Sequence, residues 1–198
     1  ERMLARFLSP AVEPELVLCS VGRLVPRKGV AWFIDEVMPT LPDDVCFLVA
    51  GEGAERGRIT DAIRRHDLED RVRLLGPVTD SDVELLYQGS DLFVMPNVRV
   101  PGDMEGFGLV LVEAGLSGLP AVVARLEGIA DVVTEGQNGH LVESRDAAGF
   151  RDAVMRYYDS PSGLRDASDR AKRHTAATFG WDRVTQRYLT ILEARARR

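Results

Sequence analysis

Short runs in which almost every residue is apolar recur along this chain, and each is followed by a stretch of helical periodicity. The runs are LVLCSVG at 16–22, VCFLVAG at 45–51, VRLLG at 72–76, DLFVMP at 91–96 and PAVVA at 120–124. Between them, helical spacing covers residues near 30–40, 54–67, 81–88 and 107–117. A strand exposed on one face would alternate apolar and polar residues. These do not, so both faces must be covered, which is the condition of a parallel sheet with crossover helices. The expected fold is therefore α/β, a doubly wound, Rossmann-like parallel sheet. Beyond residue 144 the apolar runs stop, and helices are expected near 146–158, 162–178 and 181–196, the last carrying the basic tail Arg195, Arg197 and Arg198. Residues 1–13, punctuated by Pro10 and followed by Pro14, read as an extended lead-in.

A chain of 198 residues with 45% hydrophobic content can bury one substantial core. Its net charge of -6 provides no global positive field to attract nucleic acid or an anionic membrane, so an anionic ligand has to be met by a local cluster. Cys19 and Cys46 sit inside apolar runs without a CxxC spacing and read as core thiols of a reducing compartment. No apolar run approaches the roughly 20 residues that span a bilayer, and no signal pattern opens the chain, which makes the cytoplasm the expected location. The first residue is Glu1, as expected of a fragment.

In an open parallel sheet, ligands bind beyond the carboxyl ends of the strands. Four segments lie there. In VGRLVPRKGV, Gly22 ends a run, and Arg23 and Lys28, five residues apart, flank a turn containing Pro26. Two cations so placed suit a diphosphate, although a solvated basic loop has the same composition. Gly51 and Gly53 in GEG permit a tight strand-to-helix turn but lack the dinucleotide fingerprint. From Asp103 to Pro120, Gly106 and Gly108 let backbone approach a ligand at a helix start, with Glu105 before the helix and Glu113 within it. Carboxylates accept hydrogen bonds from vicinal hydroxyls, so ribose or hexose suits both, as does plain solvation. The Asp-x-Asp of Thr79–Asp82 precedes a helix and reads as a cap rather than a metal site. His66, His140 and His174 have no metal-ligand spacing and read as surface or packing residues.

Together these segments resemble the retaining GT-B glycosyltransferases, the group that includes bacterial glycogen synthases, sucrose synthases and phosphatidylinositol mannosyltransferases. RFLSP, VGRLVPRKGV, VAGEG, VRLLGPV, DLFVMPN, EGFGLVLVEAGLSGLPAVVA and GQNGHLV follow that family's order along nearly the whole chain. The most specific element is the pair Glu105 and Glu113, eight residues apart around a Gly-Phe-Gly. The resemblance implies that Arg23 and Lys28 neutralise the diphosphate as it leaves, that Glu105 stands beside the donor sugar, and that Glu113 holds the ribose. It implies that Gly106, Phe107, Gly108 and Leu109 form the turn that meets sugar and phosphate, with Gly22, Gly51 and Gly53 in the same crevice. The backbone of Pro77 and Val78 would read the base. No metal or other cofactor is implied. The substrate would be a UDP-, GDP- or ADP-sugar, and transfer would be retaining.

Residues 1–13 would then be an interdomain linker, 14–180 the donor-binding domain, and 181–198 a helix returning to an N-terminal domain that supplies the acceptor pocket and a sugar-contacting histidine. Such a domain alone is expected to bind donor without efficient transfer. Part of the apolar stripe Trp181, Val184, Tyr188, Leu189 and Leu192 would then lack a partner. Membrane association would arise only through the other domain. Two positions depart from the pattern. Arg125-Leu126-Glu127-Gly128 stands where paired glycines are common, and Gly115 interrupts a helix at a cost of about 1 kcal/mol relative to alanine unless something packs on it. Two competing readings remain: a nucleotide-sugar 2-epimerase of the same two-domain fold, and a non-catalytic nucleotide-sugar-binding module.

Overall fold

The computed structural model describes residues 3–104 and 106–196. The chain forms β1 (Leu16–Val21), α1 (Val30–Glu36), β2 (Val45–Ala50), α2 (Arg56–Arg65), β3 (Val72–Gly76), α3 (Asp80–Gly89) and β4 (Leu92–Met95). It continues through α4 (Leu109–Leu116), β5 (Ala121–Ala124), α5 (Glu127–Ala130), β6 (Gly139–Val142), α6 (Ala147–Tyr158), α7 (Pro161–Phe179) and α8 (Trp181–Ala196). The six strands pair in parallel in the order β3-β2-β1-β4-β5-β6. The direction of winding therefore reverses between β1 and β4, the two strands at the centre.

The uninterrupted apolar runs do what their composition requires. Every residue of β2, β4 and β5 is buried, because helices lie on both faces of the sheet. On one face Phe33 of α1 meets Phe47 of β2 edge-on at 5.2 Å and Phe150 of α6 at 5.9 Å. Cys19 and Cys46 are buried and unbridged, and burial pushes the Cys19 thiol up to about 12. Among the described residues no helix is long and apolar enough to cross a membrane. At the opposite end from the crevice, the buried Arg71 guanidinium donates to the carbonyls of Met38, Leu41, Pro42 and Val45 and to Asp43. A buried charge is thereby satisfied by carbonyl acceptors and a carboxylate of the turn leading into β2.

Three local readings change. The lead-in is not extended: residues 3–7 are coiled into turns, with the amides of Phe7 and Leu8 both directed to the Leu4 carbonyl. Leu4 is 2% exposed and lies over Gly89, where an added Cβ would come within 2.7 Å of its side chain. Burying one leucine outweighs the extended preference of a proline-flanked segment. The other two are β6 and the four-residue α5, neither of which the apolar runs single out. A four-residue edge strand opening on glycine carries too little apolar signal. Its outer edge is protected by Glu135, which accepts from the Leu141 amide at 2.8 Å and lies 2.5 Å from His140 Nδ1. His66 contacts Asp35, and His174 contacts Thr134, so each histidine has a packing or surface partner.

Candidate active site

The reversal of winding opens a crevice beyond the carboxyl ends of β1 and β4. The loop after β1 forms one wall. Gly22 follows the strand, and the ammonium of Lys28 hangs over it: a Cβ added at Gly22 would stand 3.9 Å from Nζ. Lys28 closes a single 3-10 turn that begins at Pro26, and Gly29 then starts α1. Arg23 is exposed and Lys28 half-buried, so both side chains reach the surface of the crevice. Arg27, between them in sequence, is turned inward. It is 7% exposed, with Nε 2.9 Å from Asp103 Oδ1, off the N–H direction, so the contact is an ion pair and not an aligned hydrogen bond.

Gly51 and Gly53 are explained by the neighbouring loop. An added Cβ would lie 1.9 Å from the Gly22 carbonyl at Gly51 and 2.2 Å from the Leu24 carbonyl at Gly53. The loops after β1 and β2 are thus stacked backbone on backbone, held by Gly22 N–H to Ala50 O at 3.0 Å and Leu24 N–H to Glu52 O at 2.8 Å. The GEG segment shapes the cation-bearing loop from below. Pro77 is exposed and Val78 partly buried, on the turn between β3 and α3.

The second wall is the segment from β4 to α4. It is tied to the first: the Val98 amide donates to the Arg27 carbonyl at 2.9 Å, and Arg27 pairs with Asp103. Glu105 lies outside the described residues. Gly106, Phe107 and Leu109 are exposed, and Phe107 stands edge-on to Phe179 at 5.7 Å. Gly108 caps α4 with φ 71° and no side-chain cap hydrogen bond, so no capping side chain covers the first amides of the helix at this end of the sheet. Gly128 accounts for the departure at 125–128: an added Cβ there would be 1.8 Å from the Gly106 carbonyl, so the single glycine that remains is the one the close approach requires.

Down the flank of α4, Glu113 lines a pocket of about 310 Å³ with Asp80, Val83, Glu84, Tyr87 and Ser117, in the groove between α3 and α4. The Tyr87 hydroxyl donates to Glu113 Oε2 at 3.1 Å. Burial, and then the Glu113 carboxylate, push the Tyr87 phenol well above its ordinary range, so it keeps its proton. Asp82 is committed elsewhere. Its carboxylate accepts from the Thr79 hydroxyl at 2.8 Å and the Thr79 amide at 3.2 Å in a capping box, and it pairs with Arg6. The Asp-x-Asp is therefore a helix start, as its position before an apolar helix suggests. Among the described residues no group of three or more His, Cys, Asp or Glu side chains is arranged to hold a metal ion.

Tyr87 and the Arg27–Asp103 tie are the features that motif reading passes over. Tyr87 looks like one more apolar residue of VELLYQG, and only its polar tip hints at another use. Nothing in sequence links Arg27 to Asp103.

A doubly wound parallel sheet with cations at one lip of its switch point and a glycine-rich helix start at the other defines a Rossmann-like domain. Comparison with known proteins narrows the class. Residues 15–160 match the family model for glycosyl transferases group 1, and the chain belongs to that family. It is 32% identical over 186 residues to D-inositol 3-phosphate glycosyltransferase 2 of Catenulispora acidiphila, covering 82% of this chain and 42% of that protein. It is 30% identical to the phosphatidyl-myo-inositol mannosyltransferase of Mycobacterium leprae, covering 85% and 43%. The chain thus spans about two-fifths of the length of these curated relatives. Among solved structures, the sucrose-phosphate synthase of Thermosynechococcus elongatus superposes with a TM-score of 0.79 at 27% identity, over 97% of this chain and 49% of that one. Anabaena Alr3699/HepE, solved with UDP and glucose, superposes with a TM-score of 0.78 at 25% identity, over 90% and 48%. The fold is that of the C-terminal domain of a GT-B glycosyltransferase.

Proposed function

We propose that this domain holds the nucleoside diphosphate of a nucleotide-sugar donor across the β1/β4 switch point, for a metal-independent, retaining hexosyl transfer that a separate N-terminal domain completes. The observation that carries the reading is the junction of the two walls. The loop bearing Arg23 and Lys28 and the segment leading to α4 are bonded to each other at Val98–Arg27 and Arg27–Asp103, so cations and helix-terminal amides face one crevice. Charge-assisted bonds and the positive end of α4 stabilise the negative charge that grows on the diphosphate as the glycosidic bond breaks, the task a divalent ion performs in other transferases. Gly22, Gly106, Phe107, Gly108 and Leu109 bring backbone to the phosphates and sugar, Gly51 and Gly53 support that surface, and the turn at Pro77 and Val78 receives the base. Glu113 takes the ribose hydroxyls, and Glu105 is assigned the sugar from its place in the sequence. The complexes of Anabaena HepE with UDP, with UDP and glucose, and with UDP-glucose support a nucleotide-sugar ligand.

Trp181 is 83% exposed, Tyr188 66% and Leu192 60%, which supports the docking of α8 on the N-terminal domain. Val184 belongs to the same stripe by sequence, but its side chain lies outside the described ones.

Calorimetric titration with UDP, GDP and ADP, with and without a chelator, tests the proposal. At least one nucleotide should bind equally well in both conditions. Arg23→Ala and Lys28→Ala should each weaken it about ten- to a hundredfold, the equivalent of one charge-assisted hydrogen bond. Binding that requires a divalent ion, or that ignores both substitutions, overturns the assignment.

A further inference from the structure

Of the polar side chains lining the pocket between α3 and α4 that the donor-binding reading does not use, Tyr87 is the buried one. Tyr87 is 5% exposed, its ring is fixed edge-on to Phe93 of β4 at 5.9 Å, and its hydroxyl emerges only at Glu113 Oε2, 3.1 Å away. Resting on the assignment of Glu113 to the ribose, we infer that Tyr87 is a positioning residue that presents Glu113 to the nucleoside.

The argument is one of degrees of freedom. Glu113 is exposed on α4, where a glutamate ordinarily samples many rotamers, and binding would have to freeze them. Tyr87 cannot move with it, because its ring is packed in the core between α3 and β4. The O–H···O⁻ bond is charge-assisted and anchors one carboxylate oxygen to the sheet through the ring. A carboxylate has about four acceptor positions, so one spent on Tyr87 leaves the other oxygen free for two adjacent hydroxyls. The phenol stays protonated across the neutral range because burial and the carboxylate both raise it, so the anchor is always a donor.

The test uses whichever of UDP, GDP and ADP binds the parent chain most tightly, its 2′,3′-dideoxy analogue, and pyrophosphate. The parent should prefer the ribonucleotide over the dideoxy analogue. Tyr87→Phe should weaken the ribonucleotide about three- to tenfold, as expected for freezing one rotamer-rich side chain, and leave the dideoxy analogue and pyrophosphate unchanged. In a Glu113→Ala background the same substitution should have no further effect. Equal losses on all three ligands, or the same loss in the Glu113→Ala background, would show that Tyr87 acts only through the fold and overturn the inference. If the parent itself does not distinguish ribose from dideoxyribose, the assignment of Glu113 fails first and takes this one with it.

Discussion

Gly115 sits in the middle of α4, where alanine would ordinarily favour the helix by about 1 kcal/mol. The structure predicts that Gly115→Ala destabilises instead. A Cβ at Gly115 would lie 2.4 Å from Thr175 Oγ1 and 3.1 Å from its Cβ and Cγ2, whereas unstrained carbon contacts fall near about 3.5–4.0 Å. Thr175 is fully buried on α7, one turn from Ala171 and two from Ala167, both buried, and Ser168 Oγ donates to the Gly118 carbonyl at 2.6 Å. The interface is therefore closed along its length, and the helices cannot separate at one point alone. Overpacking of this kind costs about 1–3 kcal/mol. Set against the gain in propensity of about 1 kcal/mol, the net loss should reach up to about 2 kcal/mol, or as much as roughly 8 °C in Tm for a chain of this size. Removing the obstacle should reverse it. Thr175 Oγ1 has no hydrogen-bond partner among the described residues, so Thr175→Ala in the Gly115→Ala background deletes a clash and a buried polar atom together. The double variant should return to within about 0.5 kcal/mol of the parent, a coupling well above the near-additivity of distant sites. Urea midpoints with a shared m-value measure all four corners of the cycle. A Gly115→Ala variant more stable than the parent, or additive single effects, would refute the close-packing account.

Two further outcomes follow from the fold. The Asp82 carboxyl is held below the usual carboxylate range, chiefly by the Thr79 hydroxyl and then by the Thr79 amide, with Arg6 adding to both. A depressed folded value stabilises the native state above the ordinary carboxylate pKa, and this contribution disappears as pH falls through the depressed one. The stability gap between parent and Asp82→Asn should accordingly be full at neutral pH and close in acid, and a gap that persists in acid would assign the effect to cap geometry instead of charge. Truncation after Gly180 should leave the fold and nucleoside diphosphate affinity intact, because Trp181, Tyr188, Leu189 and Leu192 of α8 are exposed, while abolishing association with a separately produced N-terminal domain. Loss of cooperative unfolding in the truncated chain would place α8 in the core.

Local chemistry carried much of this protein in plain view. Unbroken apolar runs such as VCFLVA demanded a strand covered on both faces, and β2 is buried throughout. Thr79 and Asp82, three residues apart, could close a capping box whatever surrounded them, and they do. Glycines and cations after the strands marked where a ligand would be met, because in a parallel sheet that end is common to every strand. What those patterns leave undetermined is which strands are neighbours, and so where the crevice opens; the order β3-β2-β1-β4-β5-β6 is a property of the assembled sheet. The same holds for the purposes of individual residues. Gly51 and Gly53 make room for the Gly22 and Leu24 carbonyls, Gly115 for Thr175, and Gly128 for Gly106. Tyr87 reaches Glu113 across 26 positions, and Arg27 reaches Asp103 from the loop after another strand. Periodicity and capping act within a few residues and leave a trace in the order of amino acids. Contacts between distant segments have no such period, and only packing the helices onto the sheet decides them.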